Sequence, residues 1–194
     1  MSGDIIAAVA PVVEAFAALG VSYRIGGSVA SSALGVPRST LDVDLVCDLQ
    51  LRHIGSFVAA LQESYYVDGE MVKDAIRSES SFNLVHLPTM LKVDIFVRKS
   101  TPWDLEAFTR KIRRSLDTSG DGPEFDLTTA EDIILHKLAW YRLGGGVSER
   151  QWRDALGVIA VQSQALDRTY LVRWAASLGL GDLLDRAFSE VAAE

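Results

Sequence analysis

Asp42-Val43-Asp44 and Lys92-Val93-Asp94-Ile95 are the segments of this 194-residue chain whose side chains could do chemistry together. Each sits in a run of alternating apolar and polar residues, Leu41 to Asp48 and Leu91 to Val97, and that alternation marks a half-buried strand. Residues two apart on a strand share a face. Leu41, Val43, Leu45 and Cys47 are thereby expected in the core, with Asp42 and Asp44 side by side on the other face. On the second strand Val93, Ile95 and Val97 form the core side, and Lys92, Asp94 and Phe96 face away from it. Two carboxylates about 4 Å apart repel by roughly 4 kcal/mol at an effective dielectric of about 20. A divalent cation turns that cost into binding, and Mg²⁺, which takes one or two carboxylates plus phosphate oxygens, is the natural candidate. If the two strands are neighbours, Asp94 joins the pair, and three carboxylates suit a two-metal phosphoryl-type transfer. Taken singly, each acid reads as well as a solvated strand residue.

Two further pieces fit such chemistry. Gly26-Gly27-Ser28 follows a short strand and opens an Ala/Ser-rich helix; glycines let backbone approach a ligand, and a helix start offers free N–H groups to phosphate. Alone, the motif is equally a tight turn. Arg38 stands just before the Asp pair, where it could clamp a phosphate oxygen bidentately or serve as a surface arginine.

The elements that must position these residues can be read along the chain. A stripe of Ile5, Val9, Val12, Val13, Phe16 and Leu19 predicts a helix over 4–19, stopped by Gly20, with a strand over 21–25 and a helix from the glycines to about Leu34. A further helix is expected over 51–63, and an extended piece and a short helix within 65–79. Phe82–Leu87 and Leu91–Val97, split by Pro88-Thr89, predict an antiparallel pair. Ser119-Gly120-Asp121-Gly122-Pro123 is the strongest loop signal. Beyond it, helices are expected near 129–142, 148–162, 167–178 and 181–192, with capping boxes at Thr128-x-x-Glu131 and Ser148-x-x-Gln151. The organisation is thus α/β (α+β), with an α/β domain over 1–118 and a C-terminal helical region over 119–194 packed on it. Trp140, Trp152 and Trp174 are expected to anchor helix packing, Cys47 to sit in the core, and His53, His86 and His136 to be scattered. The basic residues Arg110, Lys111, Arg113 and Arg114 read as a solvated face or as a patch for an RNA or nucleotide tail.

Composition sets the outer limits. Lys and Arg number 19 against 26 Asp and Glu, a formal charge of −7, which weighs against a nucleic-acid coat or a membrane-surface protein. The chain is 48% hydrophobic and 23% charged, as globular proteins are. One cysteine excludes a disulfide scaffold or a Cys-type zinc site, and a reduced, cytoplasmic setting is expected. No apolar run approaches the ~20 residues of a transmembrane helix, and Met1-Ser2-Gly3-Asp4 lacks a signal peptide's positive start.

Gly26-Gly27-Ser28, then Arg38-x-Thr40-x-Asp42-x-Asp44-Leu45, then Lys92-Val93-Asp94-Ile95, together resemble the nucleotidyltransferase superfamily that includes DNA polymerase beta. The resemblance covers about residues 21–98 and implies a nucleotidyltransferase-like mixed sheet flanked by helices and followed by a C-terminal helical bundle. It implies that Gly26, Gly27 and Ser28 hold a triphosphate, with Arg38, Thr40 and Lys92 beside it. Asp42, Asp44 and Asp94 would bind one or two Mg²⁺ ions, and Asp94 would also help deprotonate the attacking hydroxyl. Glu131-Asp132-Ile133-Ile134-Leu135-His136-Lys137-Leu138 and Arg153-Asp154 are similar to the helical region of nucleotidyltransferases related to the abortive-infection type IV toxins. That likeness brings Lys137 and Asp154 to the nucleotide site; Lys137 reads otherwise as a solvent-facing lysine, and Arg153–Asp154 as an ion pair on a helix. Gly157 stands near the place of a further Asp in the toxin pattern. The activity implied is Mg²⁺-dependent transfer of a nucleoside monophosphate from ATP or another nucleoside triphosphate to a hydroxyl of an acceptor: a small molecule, a protein or tRNA. The alternative is a catalytically silent nucleotide-binding or partner-binding module, such as a component of a toxin–antitoxin or stress system, with a partner protein or a second copy of the chain as its target.

Overall fold

Periodicity builds the elements. The computed structural model describes residues 3–117 and 122–193, so the boundary at 118 and most of the Ser119–Pro123 loop lie outside the described residues. The expected first helix forms as α1 (Gly3–Leu19), followed by β1 (Tyr23–Ile25) and α2 (Gly27–Leu34). Next come β2 (Asp42–Cys47), a 3-10 turn (Leu51–His53), α3 (Ile54–Leu61), β3 (Tyr65–Tyr66), α4 (Gly69–Arg77), β4 (Ser81–His86) and β5 (Lys92–Val97). The order closes with α5 (Pro102–Thr109), β6 (Ile112–Ser115), β7 (Glu124–Leu127), α6 (Ala130–Leu143), α7 (Glu149–Gln162), α8 (Arg168–Ser177) and α9 (Gly181–Ala193). This is a mixed α/β fold. No helix among the described residues is long and apolar enough to cross a membrane.

Two compact units divide the chain: the segment up to Gly26 with Thr40–Leu127, and Gly27–Ser39 with the residues from Thr128 onward. The first unit is built on a seven-stranded sheet of order β3-β4-β5-β2-β1-β7-β6. β2 and β5 run parallel; β4 pairs β5, and β1 pairs β2, antiparallel. The three strands β2, β4 and β5 alternate in phase, so Val43, Leu45, Phe82, Leu84, Val93 and Ile95 are all buried on one face. Helices cover that face through aromatic contacts: Phe16 of α1 stacks on Phe57 of α3 at 5.4 Å, and Phe57 meets Phe82 edge-on at 6.1 Å. Tyr65 donates to the Ala8 carbonyl at 3.0 Å. Arg24, buried on β1, secures the end of α5 by donating to the carbonyls of Phe108 and Arg110 at 2.5 and 3.2 Å.

Leu41 departs from expectation. It keeps the core phase of its strand yet is 84% exposed, because it precedes the first paired residue, Asp42. Alternation fixes direction; only a covering layer fixes burial. Cys47 is in the core as expected, and burial pushes its thiol up to about 12.

In the second unit α6 and α7 form an antiparallel hairpin through Gly144–Gly146, and α2 packs on both. Close approach is built into sequence: a Cβ on Gly35 would lie 2.8 Å from the Val158 amide nitrogen, and one on Gly157 would lie 3.3 Å from Val36. The helix starts correct two expected capping boxes. Thr129, not Thr128, caps α6, its hydroxyl accepting from the Asp132 amide at 3.5 Å. Glu131 instead accepts from the Asp167 amide at 3.0 Å at the start of α8. Ser148 caps α7 without a side-chain hydrogen bond. Trp152 is buried against Tyr141, ring centroids 5.0 Å apart, whereas Trp140 is 54% exposed and anchors no packing. The angular step of about 100° per residue turns Trp140 outward, while its neighbour Tyr141 is buried.

Candidate active site

The carboxylates are brought together by strand register. Parallel pairing of β2 with β5 sets Asp44 opposite Asp94 and Asp42 opposite Lys92. Because these positions alternate with Val43, Leu45, Val93 and Ile95, all four polar side chains project from the face opposite the helix-covered core. Asn83 of β4, in register with Asp94, continues the row and is exposed. Sequence reading passed over Asn83; the alternation Ser81, Asn83, Val85 against buried Phe82, Leu84 and His86 is the signal that marks it.

Each acid has a local partner. Thr40 donates its hydroxyl to Asp42 Oδ1 at 2.6 Å. Lys92 Nζ lies 2.7 Å from Asp94 Oδ2. The hydrogen bond to Asp94 raises the Lys92 pKa against the opposing effect of burial, and the charges of Asp94, Asp42 and Asp44 add to the rise. The Gly26 amide donates to the Asp44 carbonyl at 2.8 Å, which fixes the backbone at the Asp pair.

Three carboxylates on one sheet face are the donor chemistry of a hard divalent cation, so Asp42, Asp44 and Asp94 fit Mg²⁺ by ligand type. In their present rotamers no three His, Cys, Asp or Glu side chains among the described residues converge as a metal site. Asp94 Oδ2 is held by the Lys92 ammonium.

The second unit gathers the expected phosphate-binding residues around Asp154. Lys137 of α6 and Asp154 of α7 are both only 6% exposed, with Nζ and Oδ2 2.7 Å apart. Arg38 forks onto the same carboxylate, Nε to Oδ1 at 2.8 Å and Nη2 to Oδ2 at 3.0 Å, and also donates to the Ser28 hydroxyl. Ser31, not singled out from sequence, donates to Asp154 at 3.4 Å. Burial pushes the Asp154 carboxyl up, but the hydrogen bonds and charges of Arg38 and Lys137 outweigh it and hold it below the usual range. Arg153 is no partner of Asp154: it pairs with Glu149 at 3.1 Å on the exposed side of α7. Gly27, with φ of +54°, takes the left-handed conformation that disfavours any side chain, at the first residue of α2. Thus Ser28, Arg38, Lys137 and Asp154 meet in one cluster, and Asp42, Asp44, Asp94 and Lys92 share one sheet face, with Thr40 bonded to Asp42.

Other polar groups stand apart. A cavity of about 430 Å³ lies beyond the carboxyl ends of β2 and β5, lined by Gln50, Arg52, Glu79, Arg98 and Ser100 among others. In the basic cluster, Lys111 pairs with Asp126 at 2.7 Å, and Arg113 lies 3.6 Å from Glu124.

No family model and no curated protein matches this chain. Solved structures do. The antibiotic-resistance factor ANT(2'')-Ia matches over 100% of this chain and 97% of its own, with TM-score 0.53 and 13% identity. An antigenic nucleotidyltransferase-like protein from Paracoccidioides brasiliensis matches over 93% of each chain, with TM-score 0.55 and 20% identity. At these identities the likeness speaks for the fold, and the seven-stranded mixed sheet with its flanking and C-terminal helices is a nucleotidyltransferase-like fold.

Proposed function

We propose that this protein is a Mg²⁺-dependent nucleotidyltransferase that moves a nucleoside monophosphate from a nucleoside triphosphate, such as ATP, to a hydroxyl of an acceptor. One observation carries the reading: in a nucleotidyltransferase-like fold, Asp44 and Asp94 lie in register on one sheet face with Asp42. The bound cation would supply charge stabilisation at the α-phosphate and lower the pKa of the acceptor hydroxyl. Asp42 and Asp44 would hold it, Asp42 oriented by the Thr40 hydroxyl. Asp94 would complete the ligand set and accept the proton of the attacking hydroxyl. The acceptor oxygen forms a bond to the α-phosphorus, the α–β bridging bond breaks, and pyrophosphate leaves.

Roles for the second unit follow from its cluster. Ser28, Arg38 and Lys137 would take the phosphates with the Gly26-Gly27 backbone, and Asp154 would hold the two cations in place as a positioning residue. Most of the rate gain in such a transfer comes from positioning and charge stabilisation. Lys137 and Asp154, which the likeness to the branch related to abortive-infection type IV toxins would bring to the nucleotide site, are in contact. Gly157 marks the departure from that branch: a Cβ there would lie 3.3 Å from Val36. The acidic charge of −7 favours a small hydroxylated molecule or a protein over a long RNA as acceptor.

The test is transfer of label from α-phosphate-labelled ATP, GTP, CTP and UTP, with Mg²⁺, to small-molecule, protein and tRNA acceptors. Label moves with the wild-type protein and not with Asp42→Ala that melts at the wild-type temperature. Equal transfer by both proteins refutes the assignment. Calorimetric binding of ATP with no turnover on any acceptor selects the silent binding module instead.

A further inference from the structure

Lys92 is set among the three carboxylates by the same register that assembles them. It lies directly across from Asp42, and its Nζ is 2.7 Å from Asp94 Oδ2. An ammonium therefore stands at the concentration of negative charge that a divalent cation would seek. The two partners differ in freedom. Asp94 projects from the middle of a paired strand and is 19% exposed at its side chain; Lys92 is the first residue of that strand and is 47% exposed, on a flexible four-carbon stem. Lys92 is thus the partner with more freedom to move.

We propose that Lys92 is a built-in placeholder: its ammonium neutralises the carboxylate face while no cation is bound, entry of the divalent cation displaces it from Asp94, and the displaced ammonium then binds the nucleotide's phosphates. The inference rests on the nucleotidyltransferase reading above and adds a role in loading the site. An ammonium and a divalent cation on Asp94 Oδ2 would repel at close range, which favours exchange of one for the other.

The exchange is read by Mn²⁺ binding to the full chain without nucleotide, from the loss of the free-ion electron paramagnetic resonance signal. Lys92→Met removes the competitor and binds Mn²⁺ roughly three- to tenfold more tightly than wild type, a modest factor because the pair is partly solvated. Asp94→Asn, made in both backgrounds, weakens binding in both. With Mn²⁺ saturating and a non-hydrolysable ATP analogue added, Lys92→Met binds the analogue several-fold more weakly than wild type. Equal Mn²⁺ affinity of wild type and Lys92→Met, with Asp94→Asn still weakening both, overturns the placeholder and leaves the metal site standing. Mn²⁺ binding that Asp94→Asn does not change overturns the metal reading itself. Because Lys92 is half-exposed, its replacement leaves the fold intact, as circular dichroism of the variant would show.

Discussion

Asp154 offers the sharpest test of how the second unit is held together, through Asp154→Asn, Lys137→Met and their combination. Lys137 Nζ at 2.7 Å and Arg38 Nε at 2.8 Å each attract the carboxylate by about 6 kcal/mol at an effective dielectric of about 20. Desolvation of the buried groups returns several kcal/mol per ion, so the net worth of the cluster is far below that gross figure. Removing only the acceptor is another matter. Asp154→Asn leaves Lys137, 6% exposed, beside a neutral amide, whereas Arg38, 27% exposed, can turn to water. The cost is expected near 3 kcal/mol, the lower end for breaking a buried pair. Lys137→Met leaves the Arg38 fork in place and costs about 1–2 kcal/mol, the scale of one hydrogen bond to a charged group. The decisive quantity is the double variant. A thioether at position 137 needs no acceptor, so Asp154→Asn with Lys137→Met is expected to be more stable than Asp154→Asn alone, a coupling of at least about 1 kcal/mol. Urea denaturation, followed by hydrogen exchange of the α6 and α7 amides, measures all four proteins. A double variant as unstable as the sum of its parts refutes the assignment of Lys137 as the group left stranded.

The same carboxyl gives a pH signature. Its folded pKa lies below the ordinary aspartate value of 3.8, so its contribution is complete above about pH 4 and is lost as pH falls through the lower folded value; the urea midpoints of wild type and Asp154→Asn should differ at pH 7 and converge toward pH 3. Cys47 should resist alkylation at pH 8 in the native protein and react at once in urea, because burial removes both access and thiolate; rapid native labelling would show that β2 is not a core strand.

Local pattern made much of this legible, and pairing between distant segments did not. The alternation at 42–47 and 92–97 is sufficient to place the acids opposite the core, since a strand has only two faces. That Asp44 meets Asp94 across parallel strands is a non-local fact, set by the hairpin that carries β5 back beside β2. The partners of Asp154 are hidden for the same reason. Arg38 is 116 residues away, and the neighbouring Arg153 is a decoy, because adjacent helical residues point about 100° apart. Consecutive threonines at 128 and 129 offer two cap registers that sequence alone does not separate, and burial of Asp132 under the Tyr170 hydroxyl at 2.5 Å selects the second.

Charge is sorted locally within each unit. The sheet face holds three carboxylates against one ammonium, and the helical cluster holds two cations on one carboxylate. The overall −7 averages over these opposite local excesses. Neither excess is explained by folding alone: carboxylates side by side on a strand oppose pairing, and two cations converging on one buried acid cost desolvation that an apolar core would avoid. On the proposed function, both would be groups placed for binding at a cost in stability.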